Sequence, residues 1–234
     1  MAREVISARA GGGVGAGVGA GANAADNAEE GLRPDHLFIV DAVPEGARVL
    51  DLGCGTGVLL KMLAERKGVR GTGIEIVEER VYEAAAQGVT VHHGDFGEVL
   101  PYYPDASFDY VVLSQTLQQA HETSAVLTEA LRVGRRVVAS FPNFGHWKAR
   151  LQLLLTGRVP VTEALPYQWY DTPNVRSLTV KDFRAFTREQ SMRIVGCFYM
   201  GERGRVRCWP NLRAIDALFI VEKVASAAGN GAVE

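Results

Sequence analysis

Val49-Leu50-Asp51-Leu52-Gly53-Cys54-Gly55-Thr56-Gly57 is the stretch whose reading decides the fold. Residues 47–52 form an apolar run of the length of a buried strand, and glycines end it. Over residues 57–67, Leu59, Leu60, Leu63 and Ala64 recur at helical spacing, while Lys61, Glu65 and Arg66 fall on the other face. A strand therefore turns through glycines into a helix. Glycine lets a backbone turn tightly and approach a ligand with no Cβ in the way. The first N–H groups of the helix point outward, ready for an anion. In open α/β sheets, ligands sit at such strand ends, where the strand order reverses.

The same alternation continues downstream. Strands are expected at 71–76, 89–92, 108–114 and 135–141, with Pro142 stopping the last. Helices are expected at 78–87, with Gly88 as a left-handed cap, and at 122–133, closed by Gly134. YVVL and VVASF are continuous apolar runs, as strands buried on both faces should be. Strands alternating with helices imply right-handed crossovers and a doubly wound, mostly parallel α/β sheet. The C-terminal part differs. A helix starts at Thr179, with Asp182 three residues on completing a weak capping box. Strands at 193–199 and 217–222 follow with only the loop 201–213 between them, so they should pair antiparallel.

Spacing separates three readings of the glycine loop. A phosphate-binding GxxxxGK[ST] is absent. A dinucleotide GxGxxG requires a third glycine where Val58 or Leu60 stands. What remains is GxGxG preceded by an acid, the form that binds S-adenosylmethionine (SAM), with no pyrophosphate to cradle and a methionine ammonium to neutralise. Asp51, Gly53, Cys54, Gly55 and Gly57 are the loop residues expected at the cofactor. Cys54 is read mainly as a small packing residue. Glu75, with Ile76 beside it, ends the second strand, where an acid accepts from ribose hydroxyls. Asp95 and Phe96 follow the third strand, placed for the adenine amino group and ring. Ser114 and Gln115 end the fourth, next to the donor methyl. Their Ser-Gln-Thr-Leu context departs from the Asn/Asp-Pro-Pro-aromatic motif of base-methylating enzymes.

Composition bounds the rest. The chain has 234 residues, 47% hydrophobic and 22% charged, with a formal net charge of −2. That charge gives no global attraction to nucleic acid or anionic lipid. No apolar run reaches the ~18 residues of a membrane span, and the Gly/Ala-rich N-terminus lacks the apolar core of a secretory signal. Cys54, Cys197 and Cys208 form no disulfide framework, which fits a reducing cytoplasm. His92 and His93 alternate across a strand, and no metal site is expected. Residues 1–32 and 225–234 are expected to be disordered tails, leaving one SAM-binding domain at 33–224.

Four features lie outside the cofactor positions. A helix expected at 146–156 carries Trp147, Leu151, Leu154 and Leu155 as an apolar stripe, read as core or partner surface. His146, at its start, is a candidate general base. The segment Leu165-Pro166-Tyr167-Gln168-Trp169-Tyr170-Asp171-Thr172-Pro173-Asn174 concentrates aromatics in a Pro-bounded loop, which suits a substrate lid or a partner surface. Tyr167 and Tyr170 join His146 as catalytic candidates. Arg203, Arg205, Arg207 and Arg213 make the last loop basic, either solvated or an anion site.

DLGCGTG, GIE and GD place the chain among class I SAM-dependent methyltransferase-like sequences. FDYVVLSQTLQ (108–118), SFPNFGHW (140–147), GRVPVTEALPYQWYDTPN (157–174) and KDF (181–183) narrow the match. From Arg33 to about Glu222 the chain resembles the MetW-type methionine biosynthesis proteins. The resemblance implies a Rossmann-like sheet of seven strands ending in an antiparallel hairpin. It also implies a place in methionine biosynthesis beside a homoserine O-acetyltransferase or O-succinyltransferase. Two function classes stay open: methyl transfer from SAM to a small acceptor, and a SAM-binding subunit that regulates the acyltransferase.

Overall fold

A computed structural model describes residues 33–224; both expected tails lie outside the described residues. The chain runs α1 (Pro34–Ala42), β1 (Arg48–Leu52), α2 (Val58–Lys67), β2 (Arg70–Glu75), α3 (Glu78–Ala86), β3 (Thr90–His93), α4 (Phe96–Val99) and β4 (Phe108–Ser114). It continues through α5 (Thr123–Val133), β5 (Gly134–Pro142), α6 (Trp147–Thr156), α7 (Val180–Glu189), β6 (Met192–Gly201), β7 (Gly204–Arg205), α8 (Pro210–Arg213) and β8 (Asp216–Lys223).

These strands form one sheet in the order β3-β2-β1-β4-β5-β8-β6-β7. The first five are parallel, β8 runs antiparallel to both β5 and β6, and the order reverses between β1 and β4. This is the doubly wound class I methyltransferase architecture with its C-terminal antiparallel strands. To the seven expected strands the structure adds a two-residue edge strand, β7, paired with Met200 and Gly201 of β6. Gly134 caps α5, its N–H donating to Ala130 O, and at the same time opens β5; Pro142 is the last residue of β5 rather than the stop beyond it. Helix α1 was not anticipated; its signal is Pro34 in the first turn, where the missing N–H costs nothing.

Alternating strand residues feed two cores. Leu50, Leu52, Val111, Leu113, Phe141 and Phe219 pack under α5 and α7. There Phe141, Phe183 and Phe219 meet at ring distances of 5.2, 5.9 and 4.7 Å. Burying each such ring stabilises the fold by roughly 1.5–3 kcal/mol. On the other face Val49, Val112, Val138 and Leu218 pack with Ile39 of α1 and Leu59, Leu60 and Leu63 of α2. The expected capping box of α7 is present: Thr179 Oγ1 accepts from Asp182 N, and Asp182 accepts from Thr179 N. At the carboxyl ends of the strands, on the α1 face, apolar packing gives way to charge.

Candidate functional site

The glycine loop leaves β1 at that end. Gly55 and Gly57 have φ of +56° and +83°, a left-handed region costly for residues with a Cβ. A Cβ on Gly55 would meet no protein atom within 4 Å, so the loop presents bare backbone to open space. Glu75 organises the loop. Its carboxylate accepts from Gly55 N at 2.8 Å, Ile76 N at 3.0 Å and Val77 N at 2.9 Å. It thus ties the loop to the turn before α3, and sequence reasoning missed this task. Ile76 is exposed beside it. Cys54 is buried with its sulfur packed over Gly73, as its small size suggests, and burial pushes its thiol pKa well up. Asp95 caps α4 by accepting from Gly97 N at 2.6 Å, and Phe96 is half-buried against the core.

Asp51 is the anomaly of the loop. It is only 2% exposed, yet its Oδ1 has no hydrogen-bond partner. Burial, with Asp35 and Glu75 nearby, raises its pKa to about 7 against the pull of Arg33. An unpaired charge in so buried a place is expensive, and the raised pKa reflects this by keeping the acid protonated up to near neutral pH.

Beside Asp51 a polar row crosses β4, β5 and β8 under α1. Ser114 and Ser140, paired in register, both donate to Asp35 Oδ2 at 2.6 Å. Arg33 pairs with Asp35 at 3.4 Å and donates to Ser114 O and Oγ at 3.1 and 2.5 Å. Burial raises the Asp35 pKa, but Arg33, His36 and the two hydroxyls outweigh it and hold the carboxyl below its usual value. Burial first, then Arg33, takes His36 down to about 4. Ser114, expected beside the donor methyl, thus has its hydroxyl engaged by α1. Next to it, Gln115 has φ +58°, a strained backbone for a side-chain-bearing residue. Its Nε2 donates to Asp216 Oδ1 at 3.0 Å. Burial raises Asp216 to about 6, Gln115 opposing and Asp35 adding. Gln118 is buried and its Oε1 has no partner.

Sequence reasoning missed Arg33, Asp35, Ser140, Gln118 and Asp216. Signals were present: a charged Arg33-Pro34-Asp35-His36 run ahead of apolar residues, and an acid opening an apolar strand.

The three catalytic candidates do not converge. His146 is buried at the start of α6 and lines a cleft of about 470 Å³ with the basic loop. Burial lowers its pKa, Glu202 opposing and Lys148 adding. Tyr167 lines a different cleft of about 200 Å³ with Phe144, Pro160 and Leu165. Tyr170 stands exposed, edge-on to Trp169 at 5.7 Å. The apolar stripe of α6 is not core. Only Ala149 is buried, while Leu154 and Leu155 are 80% and 73% exposed. Trp169 and Tyr170 are 72% and 70% exposed. The aromatic segment is nevertheless held to the site: Val175 N and Arg176 N both donate to Gln118 O. Among the described residues, no group of three or more His, Cys, Asp or Glu is placed to hold a metal ion. No described helix is long and apolar enough to cross a membrane.

Comparison with known proteins agrees with this geometry. The family profile described as "Methionine biosynthesis protein MetW" matches residues 33–221. A bifunctional methionine biosynthesis protein MetXA/MetW of Rhodopirellula baltica is 36% identical over 162 residues, 65% of this chain and 26% of that protein. A demethylmenaquinone methyltransferase of Listeria welshimeri is 36% identical over 121 residues, 45% of this chain and 50% of that protein. The matched region therefore spans half or less of those relatives. Among solved structures, a SAM-dependent methyltransferase from Archaeoglobus fulgidus superposes with TM-score 0.61 at 15% identity, covering 81% of this chain and 92% of that one. A TehB-like SAM-dependent methyltransferase from Corynebacterium glutamicum gives 0.58 at 16%, covering 86% and 92%.

Proposed function

The chain belongs to the MetW family of methionine biosynthesis proteins, and from that premise we propose that it binds SAM at the carboxyl ends of β1 and β4 and acts with, or regulates, a homoserine O-acyltransferase. The observation that carries the cofactor reading is the unpartnered, buried Asp51 Oδ1 beside the bare backbone at Gly55. An α-amino acid tail fits it. The ammonium pairs with Asp51, and Arg33 is the cation at hand for the carboxylate. Ile76 offers an apolar face to the adenine. Glu75 and Asp95 keep acceptor capacity beyond their backbone partners for the ribose and the amino group.

The partner reading is supported by the exposed apolar surface of α6 and the Trp169–Tyr170 pair. Exposed large apolar side chains of that kind mark a site of association. The Rhodopirellula relative, whose name joins MetXA and MetW in one chain, supports keeping a MetW unit next to another unit of the same biosynthesis. The occupant we assign is the homoserine O-acyltransferase.

A specific observation also favours methyl transfer to a small acceptor. Gln115 and Asp216 lie beside the Arg33 cluster, and Gln118 Oε1 is an acceptor atom without a donor. When bound, SAM supplies an electrophilic methyl on a sulfonium. The chain's part would be to orient the acceptor and exclude water, with Asp216, whose Oδ1 accepts from Gln115, available to take up a proton at Oδ2 with a pKa of about 6. Incubation with methyl-labelled SAM, with and without the acyltransferase, separates the readings. Label transferred without the acyltransferase supports the enzyme. An acyltransferase rate that changes on addition of the protein, with no label transferred, supports the regulator.

A further inference from the structure

The cleft beside His146 carries a charge pattern that neither reading uses. Arg203, Arg205, Arg207 and Arg213 all line it, within a chain whose net charge is negative. Its one acidic lining residue, Glu202, is paired with Lys148. No hydrogen bond or ion pair to a described residue engages any of the four guanidinium groups. Only Arg205 has a ring contact, over Phe198 at 4.9 Å. Four like charges thus surround one concavity, with Glu202, which faces Arg203 as well as its partner Lys148, the one acid lining it.

The loop that carries them is fixed. Val206 N donates to Tyr199 O at 2.8 Å and Ile215 N to Met200 O at 2.7 Å. Leu212 N and Arg213 N close the short α8 on Trp209 O at 2.9 and 3.0 Å. The backbone thus sets where the four arginines start, while their side chains reach out exposed around the cleft. The cleft opens at the same end of the sheet as the glycine loop, because β6 ends and β8 begins there. His146 and Trp147 form its wall from α6.

We propose that this cleft is a binding site for a small polyanion bearing phosphate or several carboxylate groups, held by the forked guanidinium groups with the His146 imidazole at the wall. Arginine forks recognise both oxyanions by paired N–H donors. A volume of about 470 Å³ accommodates a small metabolite, and its concavity favours one over the flat face of a protein partner. The site is distinct from the Asp51 loop and does not rest on SAM binding.

The test is calorimetry on the full chain with pyrophosphate and with citrate, at low ionic strength and again at about 150 mM salt. Micromolar to sub-millimolar binding of at least one anion is expected, weakening with salt. An Arg203→Glu, Arg207→Glu double variant should lose it at least about tenfold. An Arg207→Lys variant should fall between, keeping charge but losing the fork. Far-UV circular dichroism and the thermal midpoint should be the same in all variants, which reports that they are folded. Tighter pyrophosphate assigns a phosphate ligand, and tighter citrate a polycarboxylate. The proposal is overturned if neither anion binds, or if charge reversal leaves binding unchanged. It is also overturned if an oligoglutamate peptide binds where both small anions fail, which would make the cleft a protein-docking surface.

Discussion

Two halves of this molecule break opposite rules. At the ends of β1 and β4, polar atoms are buried without partners: Asp51 Oδ1 and Gln118 Oε1. Along α6 and the aromatic segment, large apolar side chains stand in the open. The first defect is cured by something small and polar that enters between strands. The second is cured only by something broad and apolar that covers a face. On the proposed reading, the first sign marks the ligand site and the second the association site.

Removing the aromatics should give the largest effect. Interface anchors of this type each cost about 2 kcal/mol or more on truncation. Trp169→Ala with Tyr170→Ala should therefore weaken capture of the acyltransferase by about 100-fold or more. SAM affinity measured in parallel should not move. If it falls as well, the two halves form one chamber and the segment is a substrate lid.

Gly55→Val attacks the other half alone. A branched side chain there is strained at φ +56° and projects into the space assigned to the ligand. SAM affinity should drop by about 100-fold, with far-UV dichroism retained and acyltransferase capture intact. Unchanged calorimetry would remove the cofactor from this loop.

Asp51 gives a pH signature that the apolar half lacks. Its folded pKa is about 7 against an ordinary 3.8. Between those values the folded protein keeps a proton that the unfolded chain releases, so its contribution to stability falls as pH rises through that window. An arriving ammonium displaces the proton. SAM affinity should thus rise about tenfold from pH 5.5 to 7, below the range where a free α-amino group itself titrates. Asp51→Asn should flatten the profile. A wild-type profile that is already flat would contradict the pairing.

The smallest effect tests whether α6 is truly surface. Leu154→Lys should change unfolding free energy by no more than about 0.5 kcal/mol. A loss of several kcal/mol in chemical denaturation would place that face in a core.

Legibility follows chain direction and locality. The loop from Asp51 to Gly57 and the acid Glu75 were readable because parallel strands hand their last residues to the site, and a search along the sequence looks there. Asp216 was not, because β8 runs the other way and brings its first residue to the same end. Arg33 and Asp35 were missed because their partners, Ser114 and Ser140, are contributed by distant strands. Glu75 was found for its position, but its three backbone hydrogen bonds depend on a turn geometry that spacing does not encode. The stripe on α6 was visible as a stripe; which side of it met protein was a question of tertiary contact.

The thiols offer a practical consequence. Of three cysteines in the chain, Cys54 is sealed against Gly73 and Cys197 is half-covered, while Cys208 stands exposed on the rim of the arginine cleft. A maleimide dye added in limited amount should attach first at Cys208, with no engineered handle. The label would then sit within reach of any anion entering that cleft and far along the chain from the glycine loop. Fluorescence could follow occupancy of the basic cleft while calorimetry follows the nucleoside, on one and the same sample.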